Sequence, residues 1–234
     1  EEAVANYDQA LKMKPDDFVT LYGKSLALTI LKQHETALFC CEKALAINPD
    51  CKLSKKLWAQ IQIRLGIAYK QSSTGNRKEN LELAITAYHN ALQVCTQADF
   101  PQDWAMGQAN LGSVYSLRIA GNRRENIEQA IAAYKATLRV YTEEDFPHEW
   151  ADVYRRLGGA YFQRIAGDRR ENIEQAIIAL NAALRVYTEE NFPNEWAKTQ
   201  NSLGVTYLES IVGDEKENIE QAIGAFENAL RVHT

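Results

Sequence analysis

Apolar positions along this chain keep the spacing of helices that each bury one face. In the stretch from Gln129 to Tyr141, Ile131, Tyr134, Leu138 and Tyr141 share a single helical face. The larger pattern is a period of 46 residues with no insertion or deletion. Trp104-Ala105, Leu111-Gly112, Tyr115, Gly121, Arg123, Glu125-Asn126, Ala130-Ile131, Leu138 and Phe146-Pro147 return as Trp150-Ala151, Leu157-Gly158, Tyr161, Gly167, Arg169, Glu171-Asn172, Ala176-Ile177, Leu184 and Phe192-Pro193. One period later come Trp196-Ala197, Leu203-Gly204, Tyr207, Gly213 and Ala222-Ile223, and one period earlier Trp58-Ala59, Leu65-Gly66, Tyr69, Gly75 and Ala84-Ile85. A fixed period of this size predicts a solenoid, an array whose use is an extended surface.

Local signals place the helix ends. Asn126, Asn172 and Asn218 precede Ile-Glu-Gln and predict N-caps, with Gln129, Gln175 and Gln221 completing a capping box. Asn80 has Leu83 at that place, which predicts a weaker cap. Gly75, Gly121, Gly167 and Gly213 predict left-handed C-caps after each first helix. Phe-Pro predicts the entry to the next helix, with Pro in its first turn. Gly112, Gly158 and Gly204 fall in mid-helix, where glycine costs roughly 1 kcal/mol relative to Ala. A cost paid in every repeat predicts close approach of the neighbouring helix.

The first 50 residues carry a shorter period. Ala3, Ala10 and Pro15 recur 34 residues later as Ala37, Ala44 and Pro49. This spacing resembles the tetratricopeptide repeat (TPR) family. Leu21, Ser25 and Leu28 match the first half of that motif weakly, and Cys41 stands where an aromatic is common. The 46-residue repeats resemble the same motif, lengthened by six residues between its helices and six after them. Such long repeats resemble those of bacterial multidomain signalling proteins, often beside a caspase-like CHAT protease or an NTPase module, and more loosely those of kinesin light chains. The resemblance implies an all-α, right-handed solenoid of about eleven antiparallel helices. It divides the chain into the second helix of a truncated repeat (1–15), a 34-residue repeat (16–50), and four long repeats at 51–103, 104–149, 150–195 and 196–234, the last truncated. One continuous solenoid domain is expected, with both ends cut mid-repeat.

Composition narrows the function classes. The net charge is −5, which disfavours nucleic acid and anionic membrane as main partners. No apolar run approaches the roughly 18 residues of a membrane span. The cysteines, Cys40, Cys41, Cys51 and Cys95, fit no zinc spacing and read as free thiols of a reducing cytoplasm. The histidines, His34, His89, His148 and His233, lie far apart in sequence, so no metal or cofactor is expected. Glu143-Glu144 and Glu189-Glu190 read as solvated acids before a helix N-terminus. Arg118, Arg164 and the pairs Arg123-Arg124 and Arg169-Arg170 read as scaffold ion pairs. A catalytic site needs unlike groups converging at one unique place, and here every notable residue recurs. The expectation is a non-catalytic protein.

The repeats also control for each other. Scaffold positions stay fixed between copies, whereas positions free to recognise a ligand vary. In the TPR family the first helix of each pair lines a concave groove, at offsets −5, −2, +2 and +5 from the Leu of Leu-Gly. Those places hold Gln60, Ile63, Ile67 and Lys70; Met106, Ala109, Ser113 and Ser116; Asp152, Arg155, Gly159 and Phe162; and Lys198, Asn201, Val205 and Leu208. Arg64, Asn110, Arg156 and Ser202 lie one residue further round. The sets share no identity. Arg64, Arg155, Arg156 and Lys198 predict a basic spot suited to an acidic or carboxylate-bearing peptide, and Met106, Phe162 and Leu208 predict apolar anchors. The leading expectation is an interaction scaffold that binds a peptide or protein segment in this groove. Two alternatives stand beside it: a sensor segment docking on a catalytic domain of the same parent chain, and a structural array associating end to end.

Overall fold

Each Phe-Pro pair starts a helix, because proline's fixed φ suits the first helical turn and its missing N–H is not needed there. Phe100, Phe146 and Phe192 are the N-caps, at φ near −140°, with Pro at the first helical position. The turn before each is tied by a hydroxyl. Thr96 Oγ1 accepts from the Asp99 N–H at 3.1 Å, Thr142 from that of Asp145 at 3.1 Å, and Thr188 from that of Asn191 at 3.1 Å.

The computed structural model describes residues 2–31, 33–47, 55–211 and 213–232. Pro49, Cys51 and His233 lie outside them. Among the described residues the chain is entirely helical, with eleven helices and no strand. They are α1 (Glu2–Met13), α2 (Phe18–Ile30), α3 (His34–Ile47), α4 (Lys55–Gln71), α5 (Arg77–Val94), α6 (Pro101–Leu117), α7 (Arg123–Thr137), α8 (Pro147–Phe162), α9 (Arg169–Leu184), α10 (Pro193–Leu208) and α11 (Glu215–Leu230). They fall into two compact units, residues 1–120 and 121–234.

In the N-terminal unit, α2 packs on α3, α4 on α5, and α6 on both members of the α4–α5 pair. Phe18, Leu21, Cys41, Ala44, Ile61, Leu65 and Ala87 form one core. Leu81, Ile85, Tyr88 and Ala91 of α5 form the next, together with Leu111 and Val114 of α6. In the C-terminal unit, α8 packs on α9 and α10 on α11, with α10 also against α9. Leu157, Ile173, Leu180, Tyr187 and Leu203 are buried there.

Gly158 and Gly204 have the predicted cause, and Gly66 shares it. A Cβ on Gly66 would meet Tyr88 Cε1 at 2.5 Å, one on Gly158 Leu180 Cγ at 2.8 Å, and one on Gly204 Phe226 Cε1 at 2.8 Å. Helix pairs that close leave no room for a methyl group.

The caps correct the sequence reading by one turn. The N-caps of the second helices are Asn76, Asn122, Asp168 and Asp214. Asn122 Oδ1 accepts from Arg124 N at 2.9 Å, and Asn76 Oδ1 from Lys78 N at 2.9 Å. The repeat with Asn80 is therefore capped like its neighbours. Asn126 and Asn172 lie inside their helices and are buried. Asn172 turns back to donate to the carbonyl of Ala166 at 2.9 Å, pinning the incoming loop. Gly75, Gly121, Gly167 and Gly213 do hold positive φ, between 75° and 80°. They sit directly before the N-cap, several residues past the first helix, so they turn the chain into the second helix instead of closing the first.

Candidate functional site

Among the recurring arginines Arg118, Arg164 and Arg169 form scaffold ion pairs, whereas Arg123 donates to the Gln163 amide oxygen. Arg118 grips Glu82 through Nε at 2.8 Å and Nη2 at 2.7 Å, and Arg164 grips Glu128 at 2.7 and 3.1 Å. The bidentate hydrogen bonds from these guanidiniums hold both carboxyls below the ordinary glutamate value. Arg169 stacks over Phe162 at 5.1 Å and pairs with Glu209 at 2.8 Å. The acidic turns are only partly solvated. Glu143 pairs with Arg185 at 2.6 Å and Glu189 with Arg231 at 2.8 Å, so one acid of each turn ties the end of a second helix back to the loop before the first helix of its pair.

The variable places of the first helices differ strongly in what surrounds them. In the N-terminal unit they are largely engaged with one another. Tyr22 of α2 donates to Gln60 Oε1 at 3.2 Å, and Gln60 Nε2 donates to Asp103 of α6 at 2.9 Å. Lys70 donates to Asn110 Oδ1 at 3.3 Å. Ile63 is fully buried in the core and Ser113 is nearly so. Both were expected on the groove surface, and stacking of α6 on α4–α5 has covered Ile63. Arg64, Ile67, Met106, Ala109, Asn110 and Ser116 are half-buried, with Ile67 and Met106 packed against the same core.

In the C-terminal unit, Asp152 accepts from Arg155 Nη2 and from Arg156 Nε, each at 2.6 Å. Burial pushes the Asp152 carboxyl up, and the flanking Arg156 and Arg155 guanidiniums more than offset it, leaving the carboxyl below its ordinary value. Of the residues expected to form a basic spot, Arg155 and Arg156 share one carboxylate, with one net positive charge at this locus. Arg155 Nε is buried and has no hydrogen-bond partner among the described residues. Phe162 is half-buried under Arg169, which reduces it as an anchor. Lys198, Asn201, Val205 and Leu208 of α10 are all exposed, while Leu203 and Gly204 beside them are buried.

Sequence reasoning missed the second helix as part of a site. Phe226, Ala229 and Leu230 of α11 join Ala197, Lys198 and Asn201 around a cavity of about 330 Å³. The signal available was that Ile219, Ile223 and Leu230 repeat apolar residues of the earlier second helices. Among the described residues, no three His, Cys, Asp or Glu side chains come together as metal ligands, and no helix is long and apolar enough to cross a membrane. Cys40, Cys41 and Cys95 are free and buried. Burial pushes the Cys41 and Cys95 thiols up to about 11.

The tetratricopeptide repeat family model matches residues 19–51. That stretch is similar to a tetratricopeptide repeat. The whole chain shares its fold with solved structures that include proteins of this class. BtubC (BKLC) from P. vanneervenii aligns at a TM-score of 0.69 and 16% identity, over 99% of this chain and 87% of its own. YrrB, a TPR protein with an unusual peptide-binding site, aligns at 0.55 and 18%, over 97% and 91%. A chain of the APC/C hetero-tetramer Cut9-Hcn1 aligns at 0.67 and 18%, over 99% of this chain and 36% of that one. Identities this low establish the fold alone. No curated protein matches this chain.

Proposed function

We propose that this protein is a non-catalytic interaction scaffold that takes a peptide or protein segment on the exposed faces of its first helices. The observation that carries the reading is α10. Its variable places, Lys198, Asn201, Val205 and Leu208, face solvent while its recurring Leu203 and Gly204 are buried. Two apolar side chains beside a cation and an amide suit a short segment that offers an apolar side chain and a carboxylate. The likeness in fold to YrrB, which has a peptide-binding site, supports a peptide ligand. A reducing cytoplasmic setting suits the three buried free thiols.

The test is selection of peptides from a display library on this protein, followed by affinity measurement on variants. Val205→Glu with Leu208→Glu is expected to weaken selected peptides by about tenfold or more. Ile178→Glu, at an exposed site on the second helix α9, is expected to leave them unchanged. Peptides that bind both variants equally would move recognition off the first-helix face.

A further inference from the structure

One apolar residue recurs on the surface instead of in the core. The loops after α6, α8 and α10 hold Ile119, Ile165 and Ile211 at the same place of the repeat. They are 60%, 64% and 61% exposed. The matching residue one repeat earlier is Ser73, which donates to Glu35 through its N–H and its hydroxyl, each at 3.0 Å. The limits of the chain do not cause the exposure. Ile165 has the α10–α11 pair stacked after its own, Ile211 stands in the last pair, and the two are exposed alike. A recurring residue is normally held by packing, and packing within the fold does not account for these.

In the C-terminal unit the last two of these loops lie side by side on one edge. The first helices α8 and α10 run to that edge, and the second helices α9 and α11 leave from it. Arg169 at the start of α9 pairs with Glu209 just past α10 at 2.8 Å, which ties the loops together. Just beyond the isoleucines the edge carries charges of alternating sign: Arg170 and Glu171 in the first turn of α9, Glu215 and Lys216 in that of α11. All four side chains are exposed. Arg170 and Glu215 have no ion-pair partner among the described residues.

We propose that this loop edge pairs with the same edge of a second copy of the chain, antiparallel and two-fold, with Ile165 of one copy against Ile211 of the other. The charges choose the occupant and its direction. A two-fold contact sets a surface against itself, so the surface must be self-complementary. Antiparallel pairing brings Arg170 to Glu215 and Glu171 to Lys216, and the symmetry does so twice. Parallel pairing would set Arg170 against Arg170 and Glu215 against Glu215. The isoleucines of both copies meet at the centre and leave water together. The contact uses none of Lys198, Asn201, Val205 and Leu208, the residues of the proposed peptide surface, and it is lateral instead of end to end.

The test is sedimentation velocity of the intact protein over a range of concentrations. A dimer that dissociates on dilution is expected, with no larger species. Ile165→Asp with Ile211→Asp is expected to raise the dissociation constant about tenfold or more, with unchanged helical circular dichroism because both side chains are exposed. Arg170→Glu and Glu215→Arg are each expected to weaken the dimer about threefold, and the two combined in one chain to restore it. Ile223→Asp, at an exposed site farther along α11, is expected to leave it unchanged. A monomer at every concentration up to about 1 mM would overturn the proposal. So would a dimer that ignores the isoleucine substitutions, or a charge swap that restores nothing. A series of species that grows with concentration and is lost in the Ile223→Asp variant would overturn it too, by making the ends of the array the contact.

Discussion

The first helices α4 and α10 are copies of one motif, yet their variable faces have opposite fates. On α4, Gln60 is held between Tyr22 and Asp103, and Ile63 is fully buried. On α10, the same places are Lys198 and Asn201, both exposed. The recurring Leu-Gly is buried in both. A variable position in a stacked array is therefore of two kinds. Some are matched to the helix that lies on them, and others have no helix on them among the described residues. Only the second kind is free for a ligand.

The sharpest way to break this comparison is to truncate matched places. Ile63→Ala is expected to cost about 2–4 kcal/mol, because it removes a fully buried side chain. Val205→Ala, on the exposed face, is expected to stay within about 0.5 kcal/mol. Equal shifts in urea midpoint would show that the two faces are alike after all. The glycines come next. Gly66→Ala drives a methyl into the fully buried Tyr88 and is expected to cost about 1–3 kcal/mol despite alanine's better helix propensity. Gly204→Ala meets Phe226, which lines an open cavity and has room to swing away, so a cost below about 1 kcal/mol is expected. Gly159, with nothing within 4 Å of its would-be Cβ, is the control: Gly159→Ala is expected to raise stability by up to about 1 kcal/mol. Thermal melts of the three variants decide the order.

Smaller effects sharpen the polar half. Gln60→Ala removes one link between α2, α4 and α6 and is expected to cost about 1 kcal/mol, against almost none for Lys198→Ala. The smallest is electrostatic. Glu82 is held below its ordinary pKa by its hydrogen bonds to Arg118. Its contribution is then fully present above the unfolded value of about 4.3 and is lost as pH falls through the lower folded value. Glu82→Gln is expected to lower stability by no more than about 1 kcal/mol at pH 7, a difference that closes on acidification. A difference that grows in acid would mean that Glu82 titrates in the other direction.

The sequence by itself determined the period, the helical class, the proline entries, the left-handed glycines and the close-packed glycines. Each of these is set by backbone sterics or by a pattern a few residues long, so it can be read locally. Tertiary structure decided the rest. Asn122 and Asn126 both precede an acid or amide three residues on, and local rules cannot choose between them. Helix packing chose Asn122 and turned Asn126 into a buried residue. The partners of Arg118 and Arg164 stand 36 residues away on other helices, a match visible only once the pairs are stacked. The same stacking separated the variable face into covered and open places, because whether a side chain meets solvent or a neighbouring helix depends on what is laid against it.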